Sequence, residues 1–163
     1  MDLSIDIEDA KKLIPFEKKE FRPGQWEAIQ QTLEAIESGE RYIVLNAPVG
    51  LGKSLCGYII ANVVNYSRKT KSGFPEYHTY MYTKTKQLQD QYTDEFFGVV
   101  SIKGKSAYMC SKVRFETCKN GLCTRDPSVL NECRMSNNCP YINAKQVAKR
   151  NDITVTSYAY FFT

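Results

Sequence analysis

Residues 42–54 read YIVLNAPVGLGKS, an apolar run followed by a turn that ends in Gly52-Lys53-Ser54. The next segment, Leu55 to Tyr66, has the composition of a helix. A buried strand, a glycine-bearing turn and a helix in this order predict a phosphate-binding loop, whose backbone N–H groups point at phosphate oxygens. Lys53 is expected to reach the β- and γ-phosphates, and the Ser54 hydroxyl is expected to hold Mg²⁺. The order of the elements disfavours a chance turn, although Ala47 stands where the usual pattern begins with Gly.

Hydrophobic spacing along the chain predicts an α/β fold. Alternating strands and helices favour a RecA-like parallel sheet with helices on both faces. The first twenty residues are expected to be irregular or a short helix, and residues 67–78 a loop. The predicted helices cover residues 24–38, 52–66, 84–97 and 141–150, and the predicted strands cover residues 41–46, 79–83 and 152–156.

Composition places the chain among ordinary globular proteins. It has 163 residues, of which 42% are hydrophobic and 25% charged, enough for one domain with a small insert. The absence of a long apolar run or a signal-peptide pattern predicts no membrane partner and a cytoplasmic location, in a bacterial or phage-infected cell. Because that compartment is reducing, the six cysteines are not expected to form disulfides.

Positive charge is concentrated in residues 101–150. This segment holds ten Lys and Arg against three Asp and Glu, whereas the remainder is slightly acidic. A basic block of this kind indicates either a polyanion partner such as nucleic acid or a solvated surface. Charge alone leaves the two interpretations equal.

Five of the six cysteines lie close together in a segment without helix or strand periodicity. They are separated by seven, four, nine and five residues, and they are Cys110, Cys118, Cys123, Cys133 and Cys139. An insert of roughly 35 residues is too small to bury much core unaided. Clustered thiols in such an insert predict a zinc or iron–sulfur site. The remaining cysteine, Cys56, is expected to be a small buried apolar residue.

Several motifs resemble the N-terminal part of superfamily 2 DNA helicases of the XPD/DinG type. The segment 21–25, FRPGQ, resembles the family's motif before the phosphate loop, in which a glutamine recognises adenine, and Gln25 takes that place. Residues 47–54 resemble the family's phosphate loop, with Val49 in place of Thr or Ser. Residues 82–85, YTKT, resemble the family's motif that contacts the DNA backbone.

The cysteine segment carries the most specific resemblance. Residues 103–110, KGKSAYMC, resemble the family's Lys-Gly-Arg-x-Asn-Tyr-x-Cys, and residues 139–141, CPY, resemble the motif of its last cluster ligand. The resemblance implies a 4Fe–4S cluster held by Cys110, Cys123, Cys133 and Cys139, with Cys118 as the alternative to Cys123. It also implies a motor domain over residues 1–103, a cluster insert over 104–139 and a return to the motor domain over 140–163.

The candidate site residues follow from these motifs. Those expected to contact ATP are Gln25, Pro48, Val49, Gly50, Leu51, Gly52, Lys53 and Ser54. Those expected to contact single-stranded or forked DNA are Thr83, Thr85, Gln91, Lys103 and Lys105, with Lys112 and Arg114 as further candidates. Thr83 and Thr85 have an alternative interpretation, as the end of a strand and the cap of a helix.

The family's Asp-Glu-Ala-His motif does not occur in these 163 residues. We therefore expect the chain to be the first part of a longer or split helicase that lacks its C-terminal half, and to hydrolyse ATP poorly alone. Two alternatives remain. One is a zinc-binding nucleic-acid-binding module with a vestigial phosphate loop, and the other is a phosphate-loop ATPase that acts on something other than nucleic acid.

Overall fold

The computed structural model describes residues 3–15, 20–67, 78–135 and 138–161. The chain divides into two compact units. The first, here called the N-terminal unit, comprises residues 1–79 and 95–97, and the second, called the sheet unit, comprises residues 80–94 and 98–163. None of the helices described is long and apolar enough to cross a membrane.

The N-terminal unit contains three helices. They are α1 (Ile7–Lys12), α2 (Gln25–Glu37) and α3 (Lys53–Ser67). Its core is built from apolar side chains on the inner faces of α2 and α3, including Ile29, Leu33 and Ile59. Both of the helices predicted here are confirmed to within one residue at each end, because three- and four-residue apolar spacing specifies a buried helical face.

The sheet unit is built on a small parallel sheet with the strand order β1-β3-β2. The strands are β1 (Thr79–Thr83), β2 (Val99–Ile102) and β3 (Ile153–Ser157), and Val99 pairs with Ile153 in a parallel register. The flanking helices are α4 (Lys86–Glu95), α5 (Pro127–Met135), α6 (Pro140–Arg150) and α7 (Tyr158–Phe161). This arrangement confirms the predicted α/β fold class.

The strand predicted before the phosphate loop is wrong. Residues 42–48 have no regular secondary structure, and the side chains of Tyr42 and Val44 are 91% and 92% exposed. A strand needs a hydrogen-bonded neighbour, and the strands that the structure describes all lie after residue 78. The apolar composition showed that this run can be buried, but it did not show what buries it.

The cysteine segment is more regular than its sequence suggests. It contains two short 3₁₀ turns, an isolated antiparallel bridge between Met109 and Thr117, and helix α5. Asp126 begins α5, because its Oδ1 accepts hydrogen bonds from the backbone N–H and the hydroxyl of Ser128. An Asp followed by Pro127 is a recognisable helix start, although the apolar spacing that follows is weak. The predicted loop at residues 67–78 lies almost entirely outside the described residues.

Candidate functional site

The phosphate-loop motif forms a tight turn at the beginning of α3. Gly50 and Gly52 have φ angles of 92° and 84°, in the left-handed region that favours glycine. Helix α3 begins at Lys53, so the motif ends where a helix presents its first N–H groups. Pro48, Val49 and Gly50 are exposed at the turn. A glycine turn that leads into a helix N-terminus is a feature of phosphate-binding loops, and phosphate binding at this turn stays a prediction.

The Lys53 ammonium group lies over the loop itself. Its Nζ donates hydrogen bonds to the carbonyl oxygens of Ala47 at 2.9 Å and Pro48 at 3.0 Å. The side chain is exposed, and Ser54 follows it in the first turn of α3. Two neutral carbonyls hold an ammonium less strongly than a phosphate does, and the contact between Lys53 and the phosphates of ATP stays a prediction.

Gln25 forms side-chain hydrogen bonds with the phosphate loop and with the turn before α2. Its side chain is 2% exposed; Nε2 donates to the carbonyl of Leu51 at 2.5 Å, and Oε1 accepts from the backbone N–H of Arg22 at 2.7 Å. Both ends of the amide are therefore committed to the loop and to the turn before α2. The contact between Gln25 and adenine stays a prediction.

Arg22 is a second cation at the loop, and sequence reasoning missed it. Its Nη1 donates to the carbonyl of Gly50 at 2.6 Å, and its side chain is exposed. The only available signal was its position three residues before Gln25 in the same motif. Two positive groups, those of Arg22 and Lys53, thus lie on the turn that carries Gly50 and Gly52, which favours an anionic ligand.

The predicted backbone-contact motif occupies the end of β1 and the start of α4. Thr83 is buried, and its hydroxyl donates to the carbonyls of Thr85 at 3.2 Å and Thr156 at 3.5 Å. The Thr85 hydroxyl accepts from the backbone N–H of Leu88 at 3.2 Å, as an N-cap does. These contacts match the alternative interpretation, and Gln91 lies exposed further along α4.

The basic residues proposed for DNA binding are engaged with neighbours. Lys103 forms an ion pair with Asp90, and Lys112 forms one with Glu132 at 2.6 Å. Lys105 lies 5.8 Å from the centre of the Tyr141 ring, and the Arg114 guanidinium lies 5.1 Å from that of Phe115. Of these contacts, only the pair with Asp90 neutralises part of the counted excess, because Glu132 is already included in the count and aromatic rings carry no net charge.

Three of the five clustered cysteines form a buried core. Cys118, Cys133 and Cys139 are packed together, with Cys123 partly buried against them. The sulfurs of Cys118 and Cys139 are 3.9 Å apart. Cys110 is half-buried, and its sulfur lies close to Gly121. The fold thus brings residues from the loop, α5 and the start of α6 into one region, whereas Cys56 is fully buried in the N-terminal unit, as predicted.

The electrostatics of the thiols show how closely they are grouped. Burial, together with the neighbouring Cys139 and Cys110 thiols, raises the pKa of Cys118 to about 11. Burial also raises the pKa of Cys133, with added effects of Cys123, Cys139 and Cys110. Cys118 is therefore close enough to Cys139 and Cys110 for electrostatic interaction, and Cys133 is close enough to Cys123, Cys139 and Cys110. The raised pKa values mean that the Cys118 and Cys133 thiols resist ionisation in this environment.

The donor set fits a thiophilic metal by its chemistry, because thiolates bind zinc and iron–sulfur clusters. In the part of the chain that the structure describes, however, no group of three or more His, Cys, Asp or Glu side chains is arranged to hold a metal ion. The 4Fe–4S assignment, and the zinc alternative, are not confirmed by this geometry.

Comparison with protein families gives a match. The family model described as type III restriction enzyme, res subunit, covers residues 18–162. Comparison with curated proteins and with solved structures gave no match. The family match supports a superfamily 2 helicase, with the ATP and Mg²⁺ use and the nucleic-acid substrate typical of such motors, and it does not extend to the XPD/DinG iron–sulfur type. The chain therefore belongs to the family of the type III restriction enzyme res subunit, which is of the superfamily 2 helicase type.

Proposed function

We propose that this chain is the ATP-binding and iron–sulfur portion of an ATP-dependent DNA helicase. This helicase translocates on single-stranded DNA and unwinds duplex DNA, and it acts in the cytoplasm of a bacterial or phage-infected cell. The observation that carries the proposal is the grouping of five thiols in the sheet unit of a chain from a helicase family. None of these cysteines lies in the turn that is assigned to ATP, so the proposal gives them a separate role as metal ligands.

The nucleotide part of the proposal assigns ATP to the turn around Gly50 and Gly52. Lys53 and Arg22 supply positive charge, the first turn of α3 supplies N–H groups, and Ser54 supplies a hydroxyl for Mg²⁺. The chain's own residues bind and orient the triphosphate. We expect weak binding and little hydrolysis by these 163 residues, because they contain no Asp-Glu-Ala-His motif.

The metal part of the proposal assigns the cluster to Cys110, Cys123, Cys133 and Cys139, with Cys118 as the alternative. These residues belong to the loop, α5 and the start of α6, so holding a cluster would cross-link the three segments and stabilise the insert. Cys118 is buried with Cys133 and Cys139, and Cys123 packs against them while remaining more exposed, so Cys118 stays the alternative to Cys123. The metal content of single variants distinguishes Cys118 from Cys123. Replacing the ligand with Ser removes the metal, and replacing the other cysteine does not.

One observation favours the second candidate, a zinc-binding nucleic-acid-binding module. The 3.9 Å between the sulfurs of Cys118 and Cys139 is close to the separation of about 3.8 Å expected for two ligands of a tetrahedral zinc ion with bonds of about 2.3 Å. Cys110, Cys123, Cys133 and Cys139, with Cys118 as the alternative, would hold an iron–sulfur cluster in the first candidate, and thiolates bind either kind of metal site. Identification of the bound metal distinguishes the two functions.

The experiment for the nucleotide site is titration of the purified chain with a fluorescent ATP analogue in Mg²⁺. We expect Lys53→Ala to weaken binding by tenfold or more, since a charge-assisted hydrogen bond contributes about 1.5–3 kcal/mol. Lys12→Ala is the matched control, because Lys12 lies on α1 and pairs with Asp9. Equal affinities for the parent chain and Lys53→Ala would refute the assignment of this turn as the ATP site.

A further inference from the structure

Four aromatic side chains lie together at one edge of the sheet. Tyr80 and Tyr82 come from β1, and Tyr158 and Phe161 come from α7, which directly follows β3. The Tyr82 ring is stacked with Tyr80 at 6.4 Å and with Tyr158 at 5.7 Å, and it meets Phe161 edge-on at 5.0 Å. Because β1 and β3 are neighbours in the sheet, the fold itself assembles this group, which we call the aromatic platform.

The outer members of the aromatic platform remain open to solvent. Tyr80, Tyr158 and Phe161 are 46%, 55% and 61% exposed, while Tyr82 is half-buried at the centre. Packed aromatic rings usually remove most of their surface from water, and a contiguous exposed group of them marks a binding surface. Rings that are fixed by mutual stacking keep their orientation, so a further flat ring can stack on them with little loss of conformational freedom.

Two lysines follow the strand that carries Tyr80 and Tyr82. Lys84 and Lys86 are exposed and follow directly after β1. The two segments that build the platform and its border, residues 79–86 and 157–161, contain no Asp or Glu. This surface therefore suits a ligand that combines flat aromatic groups with negative charge.

The position of the aromatic platform also matches where ligands bind in this class of sheet. Tyr82 stands one residue before the carboxyl end of β1, and Tyr158 stands one residue after the carboxyl end of β3. In open α/β sheets, ligands bind outside the carboxyl ends of the strands. The hydroxyl of Thr83 is bonded within the fold, so the rings and lysines are what this edge presents to a ligand.

We propose that the aromatic platform stacks the bases of single-stranded DNA, while Lys84 and Lys86 hold the adjacent phosphates. The inference deepens the proposed function and rests on it for the identity of the ligand. Every base has a flat face, so stacking of this kind is tolerant of sequence, as a translocating protein requires. The phosphate contacts supply an affinity that depends on salt and not on the bases.

The test compares two fluorescently labelled oligonucleotides of equal length and charge, one of thymidines and one of abasic sugars, by anisotropy with the 163-residue chain. Both carry the same phosphates, so any difference in affinity comes from the bases. We expect the thymidine strand to bind about tenfold more tightly, since each stacked base contributes strongly. Tyr158→Leu is expected to remove that preference, and Tyr158→Phe, which keeps the ring, to retain it.

Two further variants keep the test decisive. Phe161→Leu removes a second exposed ring and is also expected to abolish the preference for the thymidine strand, so it serves if Tyr158→Leu does not fold. Phe97→Leu is the matched control. Phe97 is 94% exposed and belongs to the N-terminal unit, so its replacement is expected to leave the preference for bases unchanged. Tight, equal binding of both strands would overturn the aromatic platform but support DNA binding. Failure of the chain to bind either strand would overturn the DNA-binding part of the proposed function as well.

Discussion

Replacing Gly52 with Ala provides a sharp test of how the phosphate loop is held. Gly52 has a φ of 84°, and an added Cβ would collide with Nε2 of Gln25. Gly50 has a similar φ of 92°, yet a Cβ there meets nothing within 4 Å. The two substitutions therefore share the same kind of backbone strain and differ in the contact with Gln25.

The expected cost can be divided into two parts. Placing a Cβ in the left-handed region costs about 1–2 kcal/mol, and this applies to both Gly50→Ala and Gly52→Ala. Only Gly52→Ala also displaces the Gln25 amide from Leu51 and Arg22, and each lost hydrogen bond costs about 1 kcal/mol. We expect Gly50→Ala to destabilise by about 1–2 kcal/mol and Gly52→Ala by about 3–4 kcal/mol.

Urea unfolding followed by tryptophan fluorescence measures these differences. The chain has one tryptophan, Trp26, which adjoins Gln25 in α2 and therefore reports on the N-terminal unit. The Gln25→Ala variant lacks the amide with which the added Cβ would collide. In that background, the loss of unfolding free energy caused by Gly52→Ala should be about 2 kcal/mol smaller, as measured by a double-mutant cycle. Equal losses of unfolding free energy for Gly50→Ala and Gly52→Ala would show that Gln25 does not hold the loop as described. The absence of coupling between Gly52→Ala and Gln25→Ala would show the same.

Two further predictions concern packing. Tyr58 donates a hydrogen bond to the Phe97 carbonyl at 2.9 Å, and burial raises the pKa of its hydroxyl, so the folded chain keeps this proton where the unfolded chain loses it. We expect the parent chain to have a free energy of unfolding about 1 kcal/mol above that of Tyr58→Phe. This difference should hold below about pH 10 and shrink above it. A difference that grows with pH would contradict this. Ser101 has a buried hydroxyl without a hydrogen-bond partner among the described residues. Ser101→Ala should therefore leave the melting temperature unchanged or raise it. A clear decrease would show that the hydroxyl has a partner.

The sequence predicts those elements whose apolar spacing is regular. Helices α2 and α3 and strand β1 appear where their periodicity places them, because one buried face is enough to define each of them. The run at residues 42–45 is different. Its composition is that of a buried strand, but burial depends on neighbours far along the chain, and local sequence does not specify those neighbours.

The candidate site shows the same division between local and distant information. The turn at Gly50 and Gly52 follows from its motif, because it is formed by adjacent residues. The ion pairs of Lys103 with Asp90 and Lys112 with Glu132 join residues 13 and 20 positions apart, so a count of charges cannot reveal them. The aromatic platform likewise joins β1 to α7, and it becomes visible only in the folded sheet unit.

The most direct test of the central claim is an analysis of iron, sulfide and zinc, with a visible absorption spectrum, on protein purified without oxygen. Bound iron and sulfide in equal amounts, about four of each per chain as a 4Fe–4S site requires, would support the iron–sulfur helicase assignment. We also expect that content to be lost in Cys133→Ser and kept in Cys56→Ser. A colourless protein with zinc, or one without metal, would contradict the assignment.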